Sequence, residues 1–125
     1  MAKKPLVLSS SLFLEQAVAQ LFSAQMVGAP VVGDNHQLVG FVSEQDLLAS
    51  MLKNAYHCDG HTQVADVMRT EVISVTPDTS VIALAEQMLT HQPKIYPVVV
   101  AEQVVGVIHR RDVLQALMRH LRHCQ

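Results

Sequence analysis

Two pseudo-symmetric β-α-β-β-α repeats, each a small mixed sheet flanked by two helices, form the α+β fold that the sequence predicts. Three observations predict it. Residues 14–32 (LEQAVAQLFSAQMVGAPVV) overlie residues 81–99 (VIALAEQMLTHQPKIYPVV) at an offset of 67, with apolar positions in register. A heptapeptide that begins with Gly and ends with Asp occurs twice, as GFVSEQD at residues 40–46 and as GVIHRRD at residues 106–112. Half of the residues are apolar, enough to fill a core. A unit of roughly 50 residues buries too little apolar surface to be stable alone, so the two repeats are expected to cover each other about a pseudo-twofold axis.

The elements follow in chain order. PLVLSS (residues 5–10) predicts a short strand, weaker than its counterpart VISVTP (residues 72–77). Leu14, Ala17, Val18, Leu21 and Phe22 then recur at i, i+3, i+4, i+7 and i+8, as do Val81, Leu84, Ala85, Met88 and Leu89. That spacing is the apolar stripe of an amphipathic helix, given twice. Pro30 and Pro97 are each followed by Val-Val and open the strands PVVG and PVVV. Polar turns, DNHQ and AEQ, lead into the strands LVGFV and VVGVI, so each pair predicts a hairpin. The offset between repeats falls from 67 to 66 here, making the second turn one residue shorter. A helix follows each Asp, with stripes Leu47, Leu48, Met51, Leu52 and Val113, Leu114, Leu117, Met118, Leu121. Repeat one is assigned to residues 1–54, a connecting segment to 55–63 and repeat two to 64–125, the whole forming one compact module. VADVMR (residues 64–69) is expected to be a short helix or turn introducing repeat two.

Composition narrows the function classes. A net charge of −2 argues against a general nucleic-acid surface. No apolar run is long enough to span a bilayer. The N-terminal stretch acquires Glu15 early and shows no small-residue cleavage site, so it is read as mature protein. Two cysteines, Cys58 and Cys124, make no disulfide framework, which suits free thiols in a reducing cytoplasm. There is no G-x-S-x-G, Walker loop or dinucleotide glycine fingerprint, and no nucleophile–base pair is evident, so catalysis is not expected.

The ordered pattern, twice at nearly one offset, resembles a pair of CBS domains, the Bateman module. ADVMRTEVISVTPDTSVIALAEQML (residues 65–89) is similar to the opening of such a domain, and Gly40, Ser43 and Asp46 match its terminal Gly-x-x-(Ser/Thr)-x-x-Asp. Repeat one lacks the introductory DVM segment, a truncated start relative to the family form. The resemblance implies a regulatory or sensing module that binds AMP, ADP, ATP or S-adenosylmethionine in clefts between repeats, without a further cofactor. It also implies a homodimer, here with exposed apolar faces of the second helices meeting across it, and an unknown effector protein that receives the signal. Ribose and phosphate contacts then fall to Ser43, Asp46, Lys94, His109, Arg110, Arg111 and Asp112. Adenine contacts fall to Ala29, Pro30, Val72, Ile73, Tyr96 and Pro97.

The motif also has a purely structural reading. Ser43 and Asp46 fit a capping box, in which the hydroxyl and the acid each satisfy a backbone N–H of the first helical turn. The functional reading uses the same geometry: a helix start offers N–H groups and positive potential to a phosphate, while a carboxylate there can accept from two ribose hydroxyls. Gly40 suits close approach of a ligand or of another backbone. In repeat two His109 replaces the serine, a poorer cap, while Asp112 remains and Arg110 and Arg111 follow. Capping alone therefore explains the second copy less well, and repeat two is expected to be the more phosphate-friendly.

Two further clusters, His57, Cys58, Asp59 and His61, and His120, His123 and Cys124, contain zinc-ligand types. Neither shows a familiar four-ligand spacing, and a polar linker and a helix C-terminus account for them, so no metal is expected. A metal-responsive protein and a ligand-free assembly module remain the alternative readings.

Overall fold

The computed structural model describes residues 5–57, 60–91 and 95–123. The chain divides into two compact units, one comprising Leu6–Val72 with Glu102–Val104, the other built on Ile73–Ala101 and from Val105 onward. The fold is the expected α+β.

In the first unit, β1 (Leu8–Ser9) lies parallel to β2 (Gly28–Val32), and β2 lies antiparallel to β3 (Leu38–Ser43). The sheet is therefore mixed, in the order β1-β2-β3. The register pairs Leu8 with Val31, Ala29 with Val42 and Gly28 with Ser43, and it shifts between Val31 and Val32. Every residue of β2 is buried, as suits a central strand. The helix α1 (Leu14–Ala24) lays Leu14, Ala17 and Leu21 into the core. Gln25 ends it in the left-handed conformation, φ 56°, donating its N–H back into the last turn. The core joins these residues to Leu8, Ala29, Val31, Val42, Leu47 of α2 (Glu44–His57) and Val64 of α3 (Val64–Val67). Of the short helix or turn expected at VADVMR, a helix forms over Val64–Val67, and its first residue is packed against elements of repeat one.

In the second unit, α4 (Val81–His91) packs on α5 (Arg110–His123); β4 (Ile95–Val100) pairs with β5 (Gln103–His109), of which Val105–His109 belong to this unit. Val75, Leu84, Met88, Tyr96, Val98 and Val113 form its core. Ala101 and Glu102 alone join β4 to β5, both at positive φ (51° and 70°), the twist of a two-residue type I′ hairpin.

One expectation is reversed. VISVTP does not form a strand; only Val75 pairs, in an isolated parallel bridge to Val98. Its N–H donates to Pro97 O and its carbonyl accepts from Val99. The chain turns immediately afterwards, with Thr79 N–H donating to Thr76 O and Thr79 Oγ1 accepting from the Thr76 N–H, so the ladder stops. The strand expected to be weaker, in PLVLSS, is the one that forms, at Leu8–Ser9. The second-helix stripes leave apolar faces exposed, as expected. Leu47 and Val113 are buried, whereas Leu48, Leu52, Leu114, Met118 and Leu121 are exposed.

Candidate ligand-binding site

The first heptapeptide spans the end of β3 and the first turn of α2. Ser43 is the last strand residue, so its backbone is extended where the helix begins, as an N-cap requires. The capping box is complete: Ser43 Oγ accepts the Asp46 N–H at 3.2 Å, and Asp46 Oδ2 accepts the Ser43 N–H at 3.0 Å. The Ser43 hydroxyl also donates to Asp46 Oδ2 at 2.9 Å.

Gly40 is where another backbone comes close. A Cβ built there would lie 2.8 Å from Arg69 O and 2.6 Å from Met68 Sδ. The segment after α3 runs along β3: Phe41 N–H donates to Arg69 O at 2.9 Å, and Arg69 N–H donates to Phe41 O at 2.8 Å. This two-way exchange covers part of the outer edge of β3.

The same docking brings Arg69 to Asp46. Nε and Nη2 of Arg69 both donate to Asp46 Oδ1 at 3.3 Å. The carboxylate is mostly enclosed, 15% exposed, while the guanidinium side chain is 68% exposed. Arg69 was not among the residues the sequence singled out. Its partner lies 23 residues away, and neither periodicity nor a local motif links them.

The second heptapeptide keeps half of the box. Asp112 Oδ2 accepts the His109 N–H at 2.8 Å, and His109 Nδ1 stands 3.5 Å from the same oxygen. No hydroxyl replaces the cap donated by Ser43. The acid therefore retains a capping role here, which the sequence had made to look weaker. Arg110 and Arg111 are exposed in the first turn of α5 and form no ion pair among the described residues. Lys94, Cys58, Asp59 and Cys124 lie outside the described residues.

Of the expected adenine contacts, Ala29 and Pro30 are buried in β2, beside the strand that ends in Ser43. Tyr96 and Pro97 are buried in β4. Val72 is half-buried and Ile73 exposed, outside the named strands. Burial pushes the Tyr96 phenol above its ordinary pKa, and its hydroxyl has no hydrogen-bond partner among the described residues. A shallow groove of about 360 Å³ is lined by Leu6, Ala19, Gln20, Ser23 and Ala24, none of them an expected site residue. Among the described residues no three His, Cys, Asp or Glu side chains are grouped to hold a metal ion. No helix among them is long and apolar enough to cross a membrane.

The family described as CBS domain matches residues 1–53 and 64–119. The CBS domain-containing protein YhcV of Bacillus subtilis is 31% identical over 98 residues, covering 78% of this chain and 69% of that protein. MJ1225 of Methanocaldococcus jannaschii is 25% identical over 117 residues, 94% of this chain, which spans only 41% of that protein's length. The solved structure of CBSX2 in complex with AMP superposes with a TM-score of 0.80 at 29% identity, covering 94% of this chain and 90% of that one.

Proposed function

The chain belongs to the CBS-domain family, with two matched copies, and on that premise we propose that it is a regulatory module binding an adenosine-containing ligand. The observation that carries this reading is a carboxylate fixed in the first turn of the second helix in both repeats. Asp46 and Asp112 each stand three residues after the cap, held by the cap's own N–H. A carboxylate so fixed suits a ribose diol, and the adjoining N–H groups of the helix start suit a phosphate. The likeness to CBSX2, solved with AMP, supports an adenine nucleotide as the ligand. Arg110 and Arg111, exposed beside Asp112, favour the second repeat for the phosphate, with Lys94 and His109 as further cations.

The role is binding rather than catalysis. A ligand shifts the balance between two arrangements only by its differential affinity for them, and the change in shape or association passes to an effector protein. A homodimer in the cytoplasm completes the reading. The exposed Leu48 and Leu52 on α2, and separately the exposed Leu114, Met118 and Leu121 on α5, are apolar faces that a second copy would cover.

A thermal-shift panel with adenosine, AMP, ADP, ATP and S-adenosylmethionine tests the proposal, run beside light scattering on the same samples. A ligand at 100 times its dissociation constant adds about 2.7 kcal/mol of stability. No shift with any of the five, from a chain that scatters as a dimer, supports a ligand-free assembly module instead.

A further inference from the structure

We infer that Arg69 is a built-in competitor for the ribose-binding carboxylate of repeat one, so that the two repeats bind a nucleoside with unequal affinity. The inference rests on the reading of Asp46 and Asp112 as ribose acceptors.

A carboxylate has four lone-pair directions, two on each oxygen. At Asp46 all four are in use. Oδ2 accepts the Ser43 N–H at 3.0 Å and the Ser43 hydroxyl at 2.9 Å; Oδ1 accepts Nε–H and Nη2–H of Arg69, each at 3.3 Å. A vicinal diol needs two of these directions. The Ser43 bonds belong to the helix cap and are intrinsic to α2. The Arg69 bonds are long, and they come from a guanidinium that is 68% exposed. They are therefore the ones a ligand displaces. The Arg69 backbone is held by its exchange with Phe41, so its side chain can swing away while the chain stays docked.

In repeat two the only side chain beside the carboxylate among the described residues is His109, whose Nδ1 stands 3.5 Å from Oδ2, and nothing occupies the Oδ1 side that Arg69 fills in repeat one. Asp112 Oδ2 accepts the His109 N–H, and Oδ1 accepts no hydrogen bond among the described residues. Its carboxylate side chain is 33% exposed against 15% for Asp46. An uncharged nucleoside therefore fills repeat two first, and repeat one only at the expense of the Arg69 pair. A partly exposed pair of this kind corresponds to a factor of roughly five in affinity.

Adenosine is the appropriate probe, because it carries no phosphate that could attract the displaced guanidinium. Isothermal titration of the Asp112→Asn chain reports repeat one alone. Adding Arg69→Met, which preserves side-chain length and backbone pairing, should tighten adenosine binding about fivefold. Raising the salt from roughly 0.05 to 0.5 M should tighten binding to Asp112→Asn by screening the pair, and leave the double variant unchanged. Arg69→Met in the otherwise native chain provides the same comparison for the weaker of two sites, should Asp112→Asn unfold. Unchanged or weaker adenosine binding on loss of Arg69 overturns the inference and makes Arg69 a structural or ligand contact. Failure of the native chain to bind any of adenosine, AMP, ADP, ATP and S-adenosylmethionine overturns the functional reading itself, and is seen before any variant is made.

Discussion

Gly40→Ala tests the docking of the Arg69 segment directly. The added Cβ would lie 2.8 Å from Arg69 O and 2.6 and 2.9 Å from Met68 Sδ and Cγ. The methionine can yield, but the Arg69 carbonyl belongs to backbone pinned by two bonds to Phe41. Relief requires lifting that backbone, which loses both bonds at about 0.5–1.5 kcal/mol each. Keeping them instead imposes an overpacking cost of about 1–3 kcal/mol. Against either stands a gain of about 0.4–1 kcal/mol, because alanine restricts the unfolded chain and Gly40 does not have a positive φ. The net expectation is a loss of about 1–2 kcal/mol. Gly60→Ala is the control, since nothing lies within 4 Å of its added Cβ. Urea unfolding at matched m-values measures both. A Gly40→Ala protein as stable as the Gly60→Ala protein would refute the reasoning, because close backbone approach would then not be the reason glycine stands there.

Two further predictions concern the second unit. His109→Ser supplies the hydroxyl acceptor missing from the half-box at Asp112, and should raise stability by about 1 kcal/mol in the same urea experiment; an unchanged midpoint would mean that the Asp112 N–H is already satisfied. Tyr96→Phe removes a buried hydroxyl with no partner among the described residues, and should leave stability at neutral pH unchanged or higher. Its pH signature has a definite sign. Burial raises the folded phenol above the unfolded value of about 10, so stability is fully present below pH 10. Above it the unfolded chain loses the proton first, and stability falls as pH rises toward the folded pKa. Tyr96→Phe should therefore flatten the decline above about pH 10; an equally steep decline in the variant would place its cause elsewhere.

The repeat was legible because amphipathic periodicity is local. Leu14, Ala17 and Leu21, and Leu84 and Met88, are buried as their spacing required. The capping geometry at Ser43 and Asp46 was legible for the same reason, as an i, i+3 relation within one helical turn. VISVTP misled because β-propensity identifies residues that suit a pleated surface, not whether a ladder continues beyond Val75 into the turn at Thr76–Thr79. The stripes on α2 and α5 showed which residues share a face, and Leu48 and Leu114 are exposed as expected of faces left for a second copy, but period alone did not show that Leu47 and Val113 would be the buried members. Arg69 was illegible for a different reason. Its meeting with Asp46 is made by the path of the chain, and the one trace left in the sequence is the glycine at position 40 that lets that path pass.

The pairing of Phe41 with Arg69 separates the unit that was duplicated from the unit that can be cut out. By sequence, residues 64–72 open the second copy; by packing, they finish the first. A fragment ending at residue 63 would lose Val64 from its core and leave the outer edge of β3 bare at Phe41, an invitation to intermolecular strand pairing. One ending at residue 72 would carry its own edge protection. The two fragments should differ in solubility at equal concentration, and equal solubility would show that the nine residues protect nothing.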